Sequence, residues 1–112
     1  MKALILSVDY APPDLDEQLP VAVDLVRELP GPDRSDYWLG RLDRPLRYAK
    51  DGSTRQIRWV ILASRYVGQS IRAGVGRITV GIAFVLDDAQ AELPTVDMRK
   101  CRYAAIGEAE IA

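Results

Sequence analysis

From Tyr37 onward the apolar residues come in runs of strand length, each closed by residues that neither a helix nor a central strand accepts. Tyr37-Trp38-Leu39-Gly40-Arg41-Leu42 is the first run, broken or bulged at Pro45 and resumed over Leu46 to Ala49. Asp51-Gly52 follows, the pair favoured where a tight hairpin turn needs positive φ. Ile57 to Tyr66 is the longest run. Its first half alternates, with Arg55, Ile57, Trp59 and Ile61 on one face; its second half is apolar on both. Gly68, Gly74 and Gly76 mark an exposed loop, Ile78 to Leu86 is apolar on both faces, and Cys101 to Ile106 makes a last strand. Hairpin-spaced runs without intervening helices predict an antiparallel sheet. The expected fold class is α+β, mostly β: one compact domain over 1–112, with a sheet of about five strands and one short helix. The strands are placed at 37–48, 57–66, 78–86 and 101–106, with 2–10 joining them.

The N-terminal third is less regular. Lys2 to Tyr10 reads as a strand stopped by Ala11-Pro12-Pro13, and Asp14 to Pro20 as a polar loop. Val21, Leu25 and Leu29 stand at helical i, i+4 spacing behind Pro20, which predicts a short helix over Val21–Leu29; read with period two, Val21, Val23 and Leu25 share a face instead. Asp87 to Pro94 reads as a polar connection with one helical turn capped by Asp87 or Asp88. The expected core is Leu4, Leu6, Leu25, Leu39, Leu42, Ile57, Trp59, Ile61, Ile78, Val80, Ile82, Phe84, Tyr103 and Ile106.

Charge is sorted along the chain although the net is −1. Up to Asp36, eight acidic residues stand against Lys2, Arg27 and Arg34. From Tyr37 to Leu86, nine basic residues stand against Asp43 and Asp51, and six of the eight aromatic residues fall in this block. From Asp87 the balance is acidic again. Such asymmetry marks either a surface for an oppositely charged partner or flanks that fold back and neutralise the middle. The acidic residues Asp14, Asp16, Glu17, Asp33 and Asp36 are candidates for a face presented to a basic protein. An inhibitor of a basic toxin or nuclease gains on-rate and specificity from such a face. The alternative is an anionic ligand or single-stranded nucleic acid at 37–86, with Arg41 and Arg58 tracking phosphates and Trp38 and Trp59 stacking bases. The whole-chain pI of about 5.4 weighs against nucleic acid.

Catalytic chemistry finds little to work with. There is no histidine, which removes the usual serine and cysteine triads, histidine-ligated zinc and the commonest neutral-pH base. Asp14-Leu15-Asp16-Glu17 lacks the glycine and distant glutamate of a calcium loop, and Gly74-Val75-Gly76-Arg77 precedes a strand rather than the helix a phosphate loop needs. Arg99, Lys100 and Arg102 flank the single Cys101, and neighbouring cations lower a thiol pKa, but no base accompanies it. The expectation is a non-catalytic binding protein with no catalytic residue, metal or cofactor. A small enzyme acting through Arg and Asp/Glu alone, from Arg41, Arg58 and the Asp14 loop, is the further alternative.

The single cysteine excludes an internal disulfide. Ala3-Leu4-Ile5-Leu6 is too short for a signal-peptide core, and no stretch approaches the roughly 20 apolar residues of a membrane span. A cytoplasmic location without membrane association is expected. Twelve arginines against three lysines fit a GC-rich bacterial genome, and the length, acidic pI and β-rich pattern fall in the size class of small inhibitor and immunity proteins. A weak homodimer is expected, from an exposed edge at Cys101–Ile106 or from opposed charge blocks.

Overall fold

The computed structural model describes residues 1–29, 37–50, 52–66 and 68–112, with the side chains of Lys50, Met98, Arg102 and Tyr103 outside that description. Six strands follow one another as antiparallel neighbours: β1 (Lys2–Val8), β2 (Val21–Leu29), β3 (Tyr37–Lys50), β4 (Ser53–Ser64), β5 (Gly76–Val85) and β6 (Cys101–Ile111). β6 then pairs back onto β1, from Ala3↔Ile111 to Val8↔Gly107, so the sheet closes into a barrel. The expectation of about five strands is thereby corrected to six in a closed ring. Two misreadings account for it: Val21–Leu29 is a strand, and the last strand runs to Ile111 rather than stopping at Ile106. The radius of gyration of 12.9 Å is that of one domain of this length.

The helical spacing in β2 has a definite origin. Val21, Val23 and Leu25 enter the barrel interior, whereas Leu29 packs on the outer wall. Between Leu25 and Arg27 the register against β3 shifts, Leu25 facing Gly40 and Arg27 facing Leu39. One extra residue in a strand reverses which face the following side chains occupy. Residues four apart share a face in a regular strand as they do in a helix, so Val21 and Leu25 fit both, and the bulge sends Leu29 to the outer wall. The one short α-helix, α1, is instead Pro13–Asp16, inside what reads as a polar loop. Pro13 at its start costs nothing there, because first-turn N–H groups have no intrahelical acceptor.

Inside the barrel lie Ile5, Val23, Leu25, Leu46, Ile57, Val60, Leu62, Ile82 and Phe84, with Tyr48 tilted against Phe84 at 5.4 Å between rings. Six strands enclose less space than the eight whose interior just accommodates side chains. Gly40 relieves the crowding: it faces inward, where a Cβ would stand 2.5 Å from Val23 Cγ2. Leu15 of α1 and Ile71 of the β4–β5 connection close opposite ends, since consecutive connections of a meander alternate ends. Each fully buried aliphatic side chain of this kind contributes about 1.5–3 kcal/mol.

A second cluster lies on the outer wall: Leu29, Leu39, Ile61, Val85, Ala91 and Val96, with Trp59 against it. Ile57 and Val60 both point inward although three apart, so β4 changes phase between them. Ile57 therefore does not share a face with Trp59 and Ile61, as simple alternation predicts. Leu4 and Ile106 prove exposed and Leu6 half-buried, because Ala3, Ile5, Ala109 and Ile111 take the inward positions. The core assignment of Tyr103 falls outside the described side chains.

Pro45 sits where β3 and β4 lose register, between Arg41↔Trp59 and Leu46↔Ile57, so its missing N–H breaks no ladder bond there. Gly52 has φ +76°, as the hairpin turn requires, and Asp87 caps the 3₁₀ turn Asp88–Glu92 by accepting from the Ala89 N–H at 3.1 Å. β6 is bonded on both sides over Gly107–Ile111, whereas Cys101–Ile106, the stretch expected as a free edge, pairs with β5 and is reached from the β1 side by the Asp9 N–H, which donates to the Ile106 carbonyl at 2.8 Å.

Candidate functional site

α1 is held to the barrel by one apolar plug and one amide. Leu15 has no solvent exposure. Gln18 donates from Nε2 to the carbonyls of Asp14 (2.7 Å) and Arg47 (2.9 Å), while its Oε1 accepts from the Arg47 N–H at 2.7 Å. Arg44 adds donations to the carbonyls of Gln18 (2.5 Å) and Pro20 (3.1 Å). This turn therefore docks on β3 beyond Leu42, where β2 no longer pairs with it, while Arg47 stays opposite Gln56 of β4. Asp14, Asp16 and Glu17 project from it into solvent, and among the described residues none of the three is in an ion pair. Asp33 and Asp36, the other two residues of the candidate acidic face, lie outside the described residues.

Three arginines of the basic block are committed within the molecule, while Arg41, Arg47, Arg55 and Arg72 are exposed and make no side-chain hydrogen bond or ion pair among the described residues. Arg58 pairs with Asp88 at 3.2 Å and Arg77 with Glu108 at 3.2 Å, which ties the basic middle to the acidic C-terminal part. Arg44 holds the carbonyls just named. The four candidate anion-binding residues are not gathered into one surface. Trp38 packs against the barrel interior and Trp59 against the outer cluster. Arg41 faces Trp59 across β3–β4 and Asp24 across β2–β3, on the outer wall. Asp24 itself lies 3.6 Å from both the amino terminus and Lys2 Nζ.

A shallow groove of about 190 Å³ on the outer wall of β4, β5 and β6 is lined by Tyr37, Ile61, Ala63, Gly81, Ala83 and Ala104, with Ile82 and Ala105 beneath. No charged side chain lines it, so Arg41, Arg58 and the Asp14 turn, the residues of a histidine-free enzyme, do not meet there. Among the described residues no three metal-ligating side chains are gathered. Cys101 is half-buried. Burial, and after it the Asp97 carboxylate, pushes its thiol pKa up, opposite to the direction its basic neighbours suggest in sequence. Arg99 turns instead to Asp97, donating from Nε and Nη2 at 3.1 Å each, and these bonds hold the Asp97 carboxyl below its ordinary range. Asp87 is a cap and Asp88 an ion-pair partner.

No helix is long and apolar enough to cross a membrane. The wall is charged outside, at Lys2, Arg41, Arg47, Arg77 and Glu110, and aliphatic inside, the reverse of a lipid-spanning barrel.

Two residues that sequence reasoning passes over prove to organise the surface: Gln18 and Arg27. Arg27 Nη1 donates to the Pro94 carbonyl at 3.0 Å, and Nη2 to the carbonyls of Ala91 (3.0 Å) and Leu93. Apart from the Asp14 carbonyl four residues before Gln18, their backbone partners lie 29 to 67 residues away, so the sequence carries little local signal for either. No protein-family model, characterised protein or solved structure matches this chain.

Proposed function

We propose that this protein is a non-catalytic interaction domain that presents the α1 carboxylates to a basic protein partner. The supporting observation is a fixed turn that carries three exposed carboxylates. Asp14, Asp16 and Glu17 are exposed without ion pairs among the described residues, on a turn fixed by Leu15 and Gln18. Arg44, Arg58 and Arg77 are occupied by the molecule's own carbonyls and carboxylates. Carboxylates held in place before encounter lose less conformational freedom on binding and steer a cationic partner toward themselves. An inhibitor or immunity-type role for a cytoplasmic protein is the form of this reading that the acidic face suits best.

The test uses the full chain and a polyarginine peptide as probe. Wild-type protein is expected to bind in a salt-dependent way. Asp14→Asn, Asp16→Asn and Glu17→Gln combined should weaken binding roughly three- to thirtyfold, three exposed charge pairs each contributing a few tenths to 1 kcal/mol. Binding untouched by the triple substitution overturns the reading. Retention of a single-stranded oligothymidine, lost on Arg41→Ala, would support the nucleic-acid alternative instead.

A further inference from the structure

The β5–β6 connection is a loop of distinct construction. Its ends are pinched together where the Leu86 N–H donates to the Lys100 carbonyl at 3.2 Å, and the thirteen residues between them, Asp87 to Arg99, fold over the outer wall. Its backbone bonds are internal: Gln90 N–H to Asp87, Leu93 N–H to Gln90 and Lys100 N–H to Asp97. The Gln90 side chain, nearly buried, accepts from the Asp97 N–H at 3.0 Å. Among the described residues, no backbone N–H of the loop reaches a strand other than at its foot. A compact loop with close ends and its own internal packing is an Ω-loop.

Beneath the loop, Leu29, Leu39, Ile61 and Val85 are each at most 5% exposed, although they lie on the outside of the barrel. Among the described side chains, the loop covers them with Ala91 and Val96, while Tyr37, Trp59, Ala83 and Cys101 pack on the cluster from the strands. Among the described residues, three attachments hold the cover to the wall: those two side chains, the exposed Arg58–Asp88 pair, and Arg27 with its bonds to the carbonyls of Ala91, Leu93 and Pro94. The exposed pair contributes little. Hydrogen bonds from a charged donor are the stronger kind. Ile61, Tyr37 and Ala83 also border the open groove, so the covered recess and the groove are one continuous apolar strip, half of it roofed.

We propose that residues 87–99 form a releasable cover over this recess, latched by Arg27, that opens as a unit while the barrel stays folded. The barrel's hydrogen bonds form a closed ring that does not include the loop, so opening breaks no ladder bond. Segments with few apolar contacts and no long-range backbone pairing open at a lower free energy than the strands beneath them. The latch reaches from β2, some sixty residues earlier in sequence, so the cover is tied to a strand across the ring rather than to its own hairpin.

Native-state amide exchange on the full chain tests this. In wild-type protein the Gln90 and Leu93 amides should exchange through an opening insensitive to low denaturant, faster than the β5 amides of Val80 and Ile82. Arg27→Met, which keeps an apolar stem, should speed loop exchange roughly ten- to hundredfold, the loss expected for charge-assisted bonds, and leave β5 unchanged. Tryptic cleavage after Arg99 should rise in parallel. Arg58→Met should shift loop exchange by no more than about threefold. Loop and strand amides exchanging together in wild-type protein would overturn the proposal even if the variant failed to fold. An Arg27→Met protein with unaltered loop exchange would overturn it as well.

Discussion

Two glycines show how finely the barrel depends on single atoms. Gly107 on β6 passes so close to β1 that an added Cβ would collide with the Ser7 carbonyl oxygen, a backbone atom that cannot swing away. Gly40 instead meets the end of the Val23 side chain, which can move. Gly81 faces outward with only the Ala63 carbonyl near, at 4.0 Å. Gly107→Ala is therefore expected to cost about 3 kcal/mol or more, Gly40→Ala about 1–3, and Gly81→Ala to stay within about 0.5 kcal/mol of wild type. Urea denaturation reads all three, and a Gly81 substitution as damaging as that at Gly107 would refute the packing account. None of this is visible in sequence, where the three glycines sit in similar apolar strands.

At the scale of elements, α1 is a single turn that no isolated peptide would keep, since one turn cannot repay its own nucleation. It persists because Leu15 plugs the barrel and Gln18 bonds the β3 edge that β2 leaves open beyond Leu42. Leu15→Ala should cost about 2–5 kcal/mol as a core truncation. Gln18→Ala should cost less, about 1–3 kcal/mol for the unpaired Arg47 backbone groups, while raising exchange at the Leu15 and Arg47 amides. If Gln18→Ala left both amides unchanged, the seat of the acidic face would have to lie elsewhere. The polar look of Asp14–Glu17 hid this turn, because three of its four side chains do face solvent. β2 misled because Val21, Leu25 and Leu29 suit a helical face as well as a strand, and the bulge after Leu25 that parts Leu29 from the other two leaves no mark in the sequence. The strands between Tyr37 and Val85 were legible because runs, turn residues and alternation all agree there, and only the phase change in β4 was not.

For the whole molecule, closure is the decisive event. Gly107 to Ile111 bond to β1 on one side and β5 on the other, so the ring is completed by the last residues of the chain. A chain truncated after Ile106, where sequence pattern alone ends the strand, should lose near-UV circular dichroism and cooperative thermal unfolding. It leaves β1 and β5 with unpaired edges and the interior without Ala109 and Ile111. A truncated chain that melts cooperatively would mean that the ring is not required.

The sequence by itself determined that this chain is built from antiparallel strands around an aliphatic core, where the turns fall, and that histidine chemistry is excluded, because these follow from local residue type and spacing. It also determined that charge is segregated along the chain. Only the tertiary structure decided that the sheet closes, which apolar residues face in and which line the outer wall, and which charges remain uncommitted. Those outcomes turn on register shifts of one residue and on bonds between groups 24 to 67 residues apart, for which a linear pattern carries no signal.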